Sequence, residues 1–190
     1  MKKYSKKEKI NIALRILFTT MLILTCIMIF NFSKQNGGTS GSLSRDIMKF
    51  IAEIFTKDEQ KIVKIISKGE PILRKIAHFT VYTSLGVWAM CMMQTYFRKS
   101  KKMYNNNTDN MNYYDIEAYD KIMKKRMLIS IIIGFLYAIS DEIHQSFIPN
   151  RSARAIDVFL DTLGATNGVL IIAIIVFIYK YYKNITKELK

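Results

Sequence analysis

The stretch SDEIHQSFIPNRSARAIDVFLD, residues 140–161, lies between two apolar runs, one ending near Ile139 and the other beginning at Leu163. It gathers acids, arginines, a histidine and a glutamine beside segments built from Ile, Leu, Phe and Val. Polar groups so placed need partners, because an unpaired polar group in an apolar medium is costly. The partner is another helix, a ligand, or chemistry.

Working outward from this island, the apolar residues come in blocks with the charges between them. Half of the 190 residues are hydrophobic. Four blocks, Ile10–Phe32, Ile76–Phe97, Met127–Ile148 and Val158–Tyr179, approach or exceed the ~20 residues that cross a bilayer as a helix. Both prolines, Pro71 and Pro149, fall between blocks, as expected where a spanning helix must satisfy its own backbone. The sequence thus predicts an all-α polytopic membrane protein, a four-transmembrane-helix bundle forming one domain over residues 1–190. Its helices are expected at about 10–32, 76–97, 127–148 and 158–179. Block 1 is long for a signal peptide and lacks a clear cleavage site, so it is expected to remain as a helix. Cys26 and Cys91 lie within apolar blocks, where packing is expected rather than a disulfide.

The net charge of +14 comes from 29 basic and 15 acidic residues. In a polytopic chain it reads as a topology signal, and no nucleic-acid partner is expected. Basic residues hug the helix ends in Met1–Lys9, in the connection 98–126 and in the tail, which predicts cytoplasmic N- and C-termini. The connection 98–126 contains an Asn-rich run and is expected to be a flexible loop. Between the first two blocks, residues 43–70 carry apolar positions at helical spacing with interleaved charges. This predicts an amphipathic outer segment lying on membrane lipids or capping the bundle.

On that frame the unusual polar residues fall in one outer layer. Arg74, His78 and Tyr82 recur every four residues and share a helix face, as do Asp141 with Gln145 and Asp157 with Asp161. Ionisable groups in membrane segments face the bundle interior or a wet cavity. Asp157 and Asp161 also open a helix, where the dipole favours negative charge. Arg151 and Arg154 suit a paired carboxylate or a bound phosphate. The plainest account is an interhelical lock of paired charges. Two histidines among several acids also form a candidate divalent-metal set, but no helical metal motif is present and no metal or cofactor is expected. His78, Asp141 and Glu142 are candidates for acid–base catalysis. The ligand-binding candidates are Lys75, His78, Tyr82, Asp141, Glu142, Gln145, Arg151, Asp157 and Asp161. Gly164 and Gly168 make a small-residue face that predicts close helix contact.

SKQ at residue 33, RKIAHFTVYTSLG at residue 74 and DEIHQSFIPNRSARAIDVFLDTLGATNG at residue 141 together resemble the VanZ-like family of bacterial membrane proteins. The resemblance covers most of the chain, leaving out the amphipathic segment and the Asn-rich loop. The sequence departs from the family at Val81, where an acid is common, at Asp161, where Asn is common, and at Asn150, where Gly is frequent. The resemblance implies a Gram-positive-type cell membrane location and an association with resistance to teicoplanin-like lipoglycopeptides. It implies a lipid-linked cell-wall precursor or a lipoglycopeptide as ligand at the outer leaflet. An enzyme modifying an envelope lipid or precursor, and a structural or partner-binding protein, are the alternative expectations.

Overall fold

The computed structural model of the chain describes residues 5–34, 40–96, 113–149 and 153–188. These residues form five α-helices: α1 (Lys6–Ser33), α2 (Ser40–Phe55), α3 (Glu59–Tyr96), α4 (Tyr113–Ser146) and α5 (Ala155–Glu188). α1 starts at a capping box, in which Ser5 Oγ accepts the Glu8 N–H and the Glu8 carboxylate accepts the Ser5 N–H. α3 starts behind Asp58, whose side chain accepts the Gln60 N–H at 3.0 Å.

α3 is the axis of the molecule and packs against each of the other four helices. Its central residues Tyr82, Leu85, Ala89 and Met90 are completely buried. The tightest interface is with α5, where glycines remove the side chains that would hold the helices apart. A Cβ on Gly164 would sit 2.6 Å from the Phe79 carbonyl oxygen, and Cβ atoms on Gly86 and Gly168 would collide with backbone of the facing helix. The small-residue face read from the sequence is therefore the α3–α5 contact.

Among the described residues three helices, α1, α3 and α5, are long and apolar enough to cross a membrane, not the four expected. α4 differs for a physical reason. Its apolar run lies between Lys124-Lys125-Arg126 and Asp141-Glu142, and that run is short of the ~20 residues a span requires. With three such helices, the inference that both chain ends lie on one side, which rested on an even number of crossings, no longer applies. The outward faces of α1 and α5 nevertheless expose a dense apolar surface, including Ile16, Ile23, Ile175 and Phe177. A water-soluble protein does not sustain such a surface, and this is a multi-pass membrane protein.

The segment 43–70 is also organised differently from the expectation. Its first part forms α2, but residues from Glu59 onward belong to α3, which runs 38 residues without interruption. Pro71, expected at a boundary, lies inside α3 and removes the backbone donor that would have reached the Ser67 carbonyl. α2 folds back on this first part of α3. Ala52 is fully buried against it, Met48 fills the space beside Gly69, and Arg45 pairs with Glu70 at 3.4 Å. Of the expected loop 98–126, residues 98–112 lie outside the described residues, and α4 already runs from Tyr113. Cys26 and Cys91 are free, partly buried thiols.

Candidate functional site

α3, α4 and α5 converge where α4 ends and α5 begins. The i, i+4 spacing on α3 puts His78 and Tyr82 on the face toward α5, and the last two turns of α4 supply Asp141, Glu142 and Gln145. The first two turns of α5 supply Asp157 and Asp161. The carboxylates are withdrawn from the surface: Asp161 is 2% exposed, Asp141 4% and Glu142 5%. Gln145 ties α4 to α1, donating through its amide to Asp141 Oδ2 of its own helix at 2.9 Å and to Ser33 Oγ of α1 at 3.3 Å.

His78 Nδ1 lies 3.7 Å from Asp161 Oδ2. That separation is long for a hydrogen bond, which an N–H···O pair closes at about 2.7–3.2 Å. Tyr82, fully buried, directs its hydroxyl toward Asp141 and Asp161 without closing a hydrogen bond of good geometry. One ligand atom each from His78, Asp141 and Asp161 lies within 4.8 Å of the other two.

Above this trio opens a cavity of about 270 Å³. Its wall includes Lys75 and His78 from α3, Glu142 and Gln145 from α4, and Asp157 and Asp161 from α5. Arg74 and Arg154 add two guanidinium groups to the same wall. Arg74 is held by Glu70 at 3.0 Å, and Glu70 also takes Arg45 of α2, so the helical overhang braces the cavity rim. Glu142 accepts the backbone N–H of Arg154 at 2.9 Å and so ties the end of α4 to the start of α5. Burial raises its carboxyl above the ordinary glutamate value, an effect opposed by that hydrogen bond.

Of the candidates read from the sequence, Lys75, His78, Glu142, Gln145, Asp157 and Asp161 line the cavity, and Tyr82 and Asp141 lie behind them. Arg151 lies outside the described residues. His144 turns away and stacks on Phe30 of α1, with ring centroids 4.5 Å apart. A second polar layer, which no sequence pattern announced, lies at the opposite end of the bundle. There Arg126 donates to Gln94, while Asn11 and Arg15 donate to the Thr95 carbonyl at 3.2 and 3.1 Å. Arg15 thereby caps the last turn of α3 and also stacks on Tyr96.

The profile of the VanZ/LLP1 family matches residues 18–177, which includes the whole polar cluster. The chain belongs to the VanZ/LLP1 family. No curated protein and no solved structure matches it significantly. VanZ-family proteins are associated with resistance to teicoplanin-like lipoglycopeptide antibiotics, and that association is what membership brings to this chain. The family match begins inside α1 and ends inside α5, so it covers α3, α4 and the first part of α5, which lines the cavity.

Proposed function

We propose that this VanZ-family protein binds the anionic headgroup of a lipid-linked, cell-wall-related molecule in the α3–α4–α5 cavity. Through that binding it would lower susceptibility to teicoplanin-like lipoglycopeptides. The observation that carries the reading is the cavity wall itself. Lys75, Arg74 and Arg154 supply cationic donors for phosphate, while Gln145 and the carboxylates supply partners for hydroxyl and amide groups. The volume suits a headgroup, with the acyl or prenyl chain left to the surrounding lipid. The basic side chains Lys6, Lys7 and Lys9 of α1 and Lys124 and Lys125 of α4 lie toward the other end of the bundle. By the positive-inside rule that end favours the cytoplasm, which supports an outer-leaflet cavity.

The test compares Lys75→Ala and Arg154→Ala with the unaltered protein at matched membrane levels, in a strain lacking its own copy. Loss of a charge-assisted contact of about 1.5–3 kcal/mol weakens binding roughly 10- to 100-fold. Teicoplanin susceptibility should move toward that of the empty strain, and binding of a polyprenyl diphosphate in nanodiscs should weaken in parallel. Unchanged susceptibility and unchanged binding in both variants would refute the headgroup reading. Binding of teicoplanin itself, with no response to the polyprenyl diphosphate, would replace the lipid by the drug as ligand.

A further inference from the structure

We infer that His78, Asp141 and Asp161 form a binding site for one divalent transition-metal cation at the floor of the cavity. The three side chains come from three helices, and their ligand atoms already lie within 4.8 Å of one another. The His78–Asp161 separation of 3.7 Å exceeds a hydrogen bond. It is close to the edge of roughly 3.4 Å that metal–ligand bonds of about 2.0–2.2 Å set in a tetrahedral shell. One imidazole nitrogen with two carboxylate oxygens is a donor set for Zn²⁺, Fe²⁺ or Mn²⁺, with remaining positions open toward the cavity.

A second observation points the same way. Tyr82 is completely buried, and its hydroxyl stands beside both carboxylates with no hydrogen-bond partner among the described residues. Asp161 Oδ2 is likewise buried without a hydrogen-bond partner there. Two carboxylates withdrawn from water beside apolar helices carry a large desolvation penalty, which a divalent cation offsets more completely than a single imidazole. The Gln145 amide on Asp141 is the kind of outer contact that holds a ligating carboxylate in orientation. Because each donor sits on a different helix, bound metal would also cross-link α3, α4 and α5. This site does not depend on the headgroup reading, since its test uses metal alone.

The experiment titrates Co²⁺ into chelator-stripped, full-length protein in nanodiscs and follows the visible d–d bands, with Zn²⁺ as competitor. The expected result is saturation at one Co²⁺ per chain and displacement by Zn²⁺. Affinity should fall at least about tenfold in His78→Ala and in Asp161→Asn, and should hold in Glu53→Gln on α2. X-ray absorption of the Zn²⁺-loaded unaltered protein should show a single imidazole among oxygen donors, a readout that stands even where a variant fails to fold. No saturable Co²⁺ binding, an absorption spectrum without imidazole, or equal affinity in folded His78→Ala and Asp161→Asn would each overturn the site.

Discussion

Replacing Gly168 by alanine tests how closely α3 and α5 must approach. A Cβ at Gly168 would run into the Thr83 carbonyl oxygen, stand 2.7 Å from the Val87 nitrogen and 3.0 Å from the Thr83 carbonyl carbon. All three atoms are α3 backbone, so no rotamer change relieves the overlap and the helices must part. Overpacking of this kind costs about 1–3 kcal/mol, and rigid neighbours put Gly168→Ala at the upper end. Alanine's better helix propensity returns at most about 1 kcal/mol. The net expectation is a loss of about 2 kcal/mol, roughly a 30-fold fall in the folded-to-unfolded ratio. Gly69→Ala is the matched control, because its Cβ would meet only the end of the Met48 side chain. There the propensity gain and a rotamer cost of about 0.5–1.5 kcal/mol nearly cancel. Reversible unfolding in mixed micelles, read by circular dichroism, measures both variants. Equal stability of Gly168→Ala and Gly69→Ala would refute the account of the α3–α5 interface.

Gln145→Leu removes the amide that serves Asp141 and Ser33, both buried, and should destabilise the bundle by about 1–3 kcal/mol in the same unfolding assay. Tyr137→Phe deletes the hydroxyl that donates to the Cys26 carbonyl and joins α4 to α1. A loss of about 1 kcal/mol is expected, with the fold retained in the circular dichroism spectrum. Arg45→Ala breaks the Arg45–Glu70 pair, whose arginine side chain is 59% exposed. Global stability should change by less than about 1 kcal/mol, while amide exchange in α2 speeds up and the difference shrinks in high salt.

The polar cluster was legible because its signals are local and repeated. Four-residue spacing on single helices aligned His78 with Tyr82 and Asp157 with Asp161, and the glycine face on α5 announced a close neighbour. The number of spanning helices was less legible. An apolar block looks the same whether its flanking acids sit beyond the bilayer or cut the run short, and α4 is the second case. Pro71 misled for a related reason. Proline normally marks a helix boundary, yet α2 packs along the flank of α3 and holds the helix together through a position that propensity alone would break. The opposite polar layer stayed hidden because its residues are spread over three helices and only Asn11 and Arg15 share a four-residue spacing. The His78–Asp141–Asp161 set was obscured in the same way. Metal motifs that a sequence displays put two ligands on one helix, whereas here three helices give one each.

The two polar layers differ in the chemistry they gather. At one end the charged side chains terminate on neutral protein acceptors: Arg15 on the Thr95 carbonyl and Arg126 on the Gln94 amide oxygen. That layer fastens α1, α3 and α4, although it too buries a nitrogen, Arg15 Nε, without a hydrogen-bond partner among the described residues. At the cavity end the balance is reversed. Asp161 stands at 3.7 Å from His78, Tyr82 offers a hydroxyl beside two acids, and the cationic side chains line an opening rather than covering the carboxylates. Helices that needed only fastening there would be served by the kind of close arginine-to-amide contact seen at the far end. A cluster that keeps acids buried beside an open cavity, with three potential ligand atoms within 4.8 Å of one another, fits a layer completed by what enters the cavity.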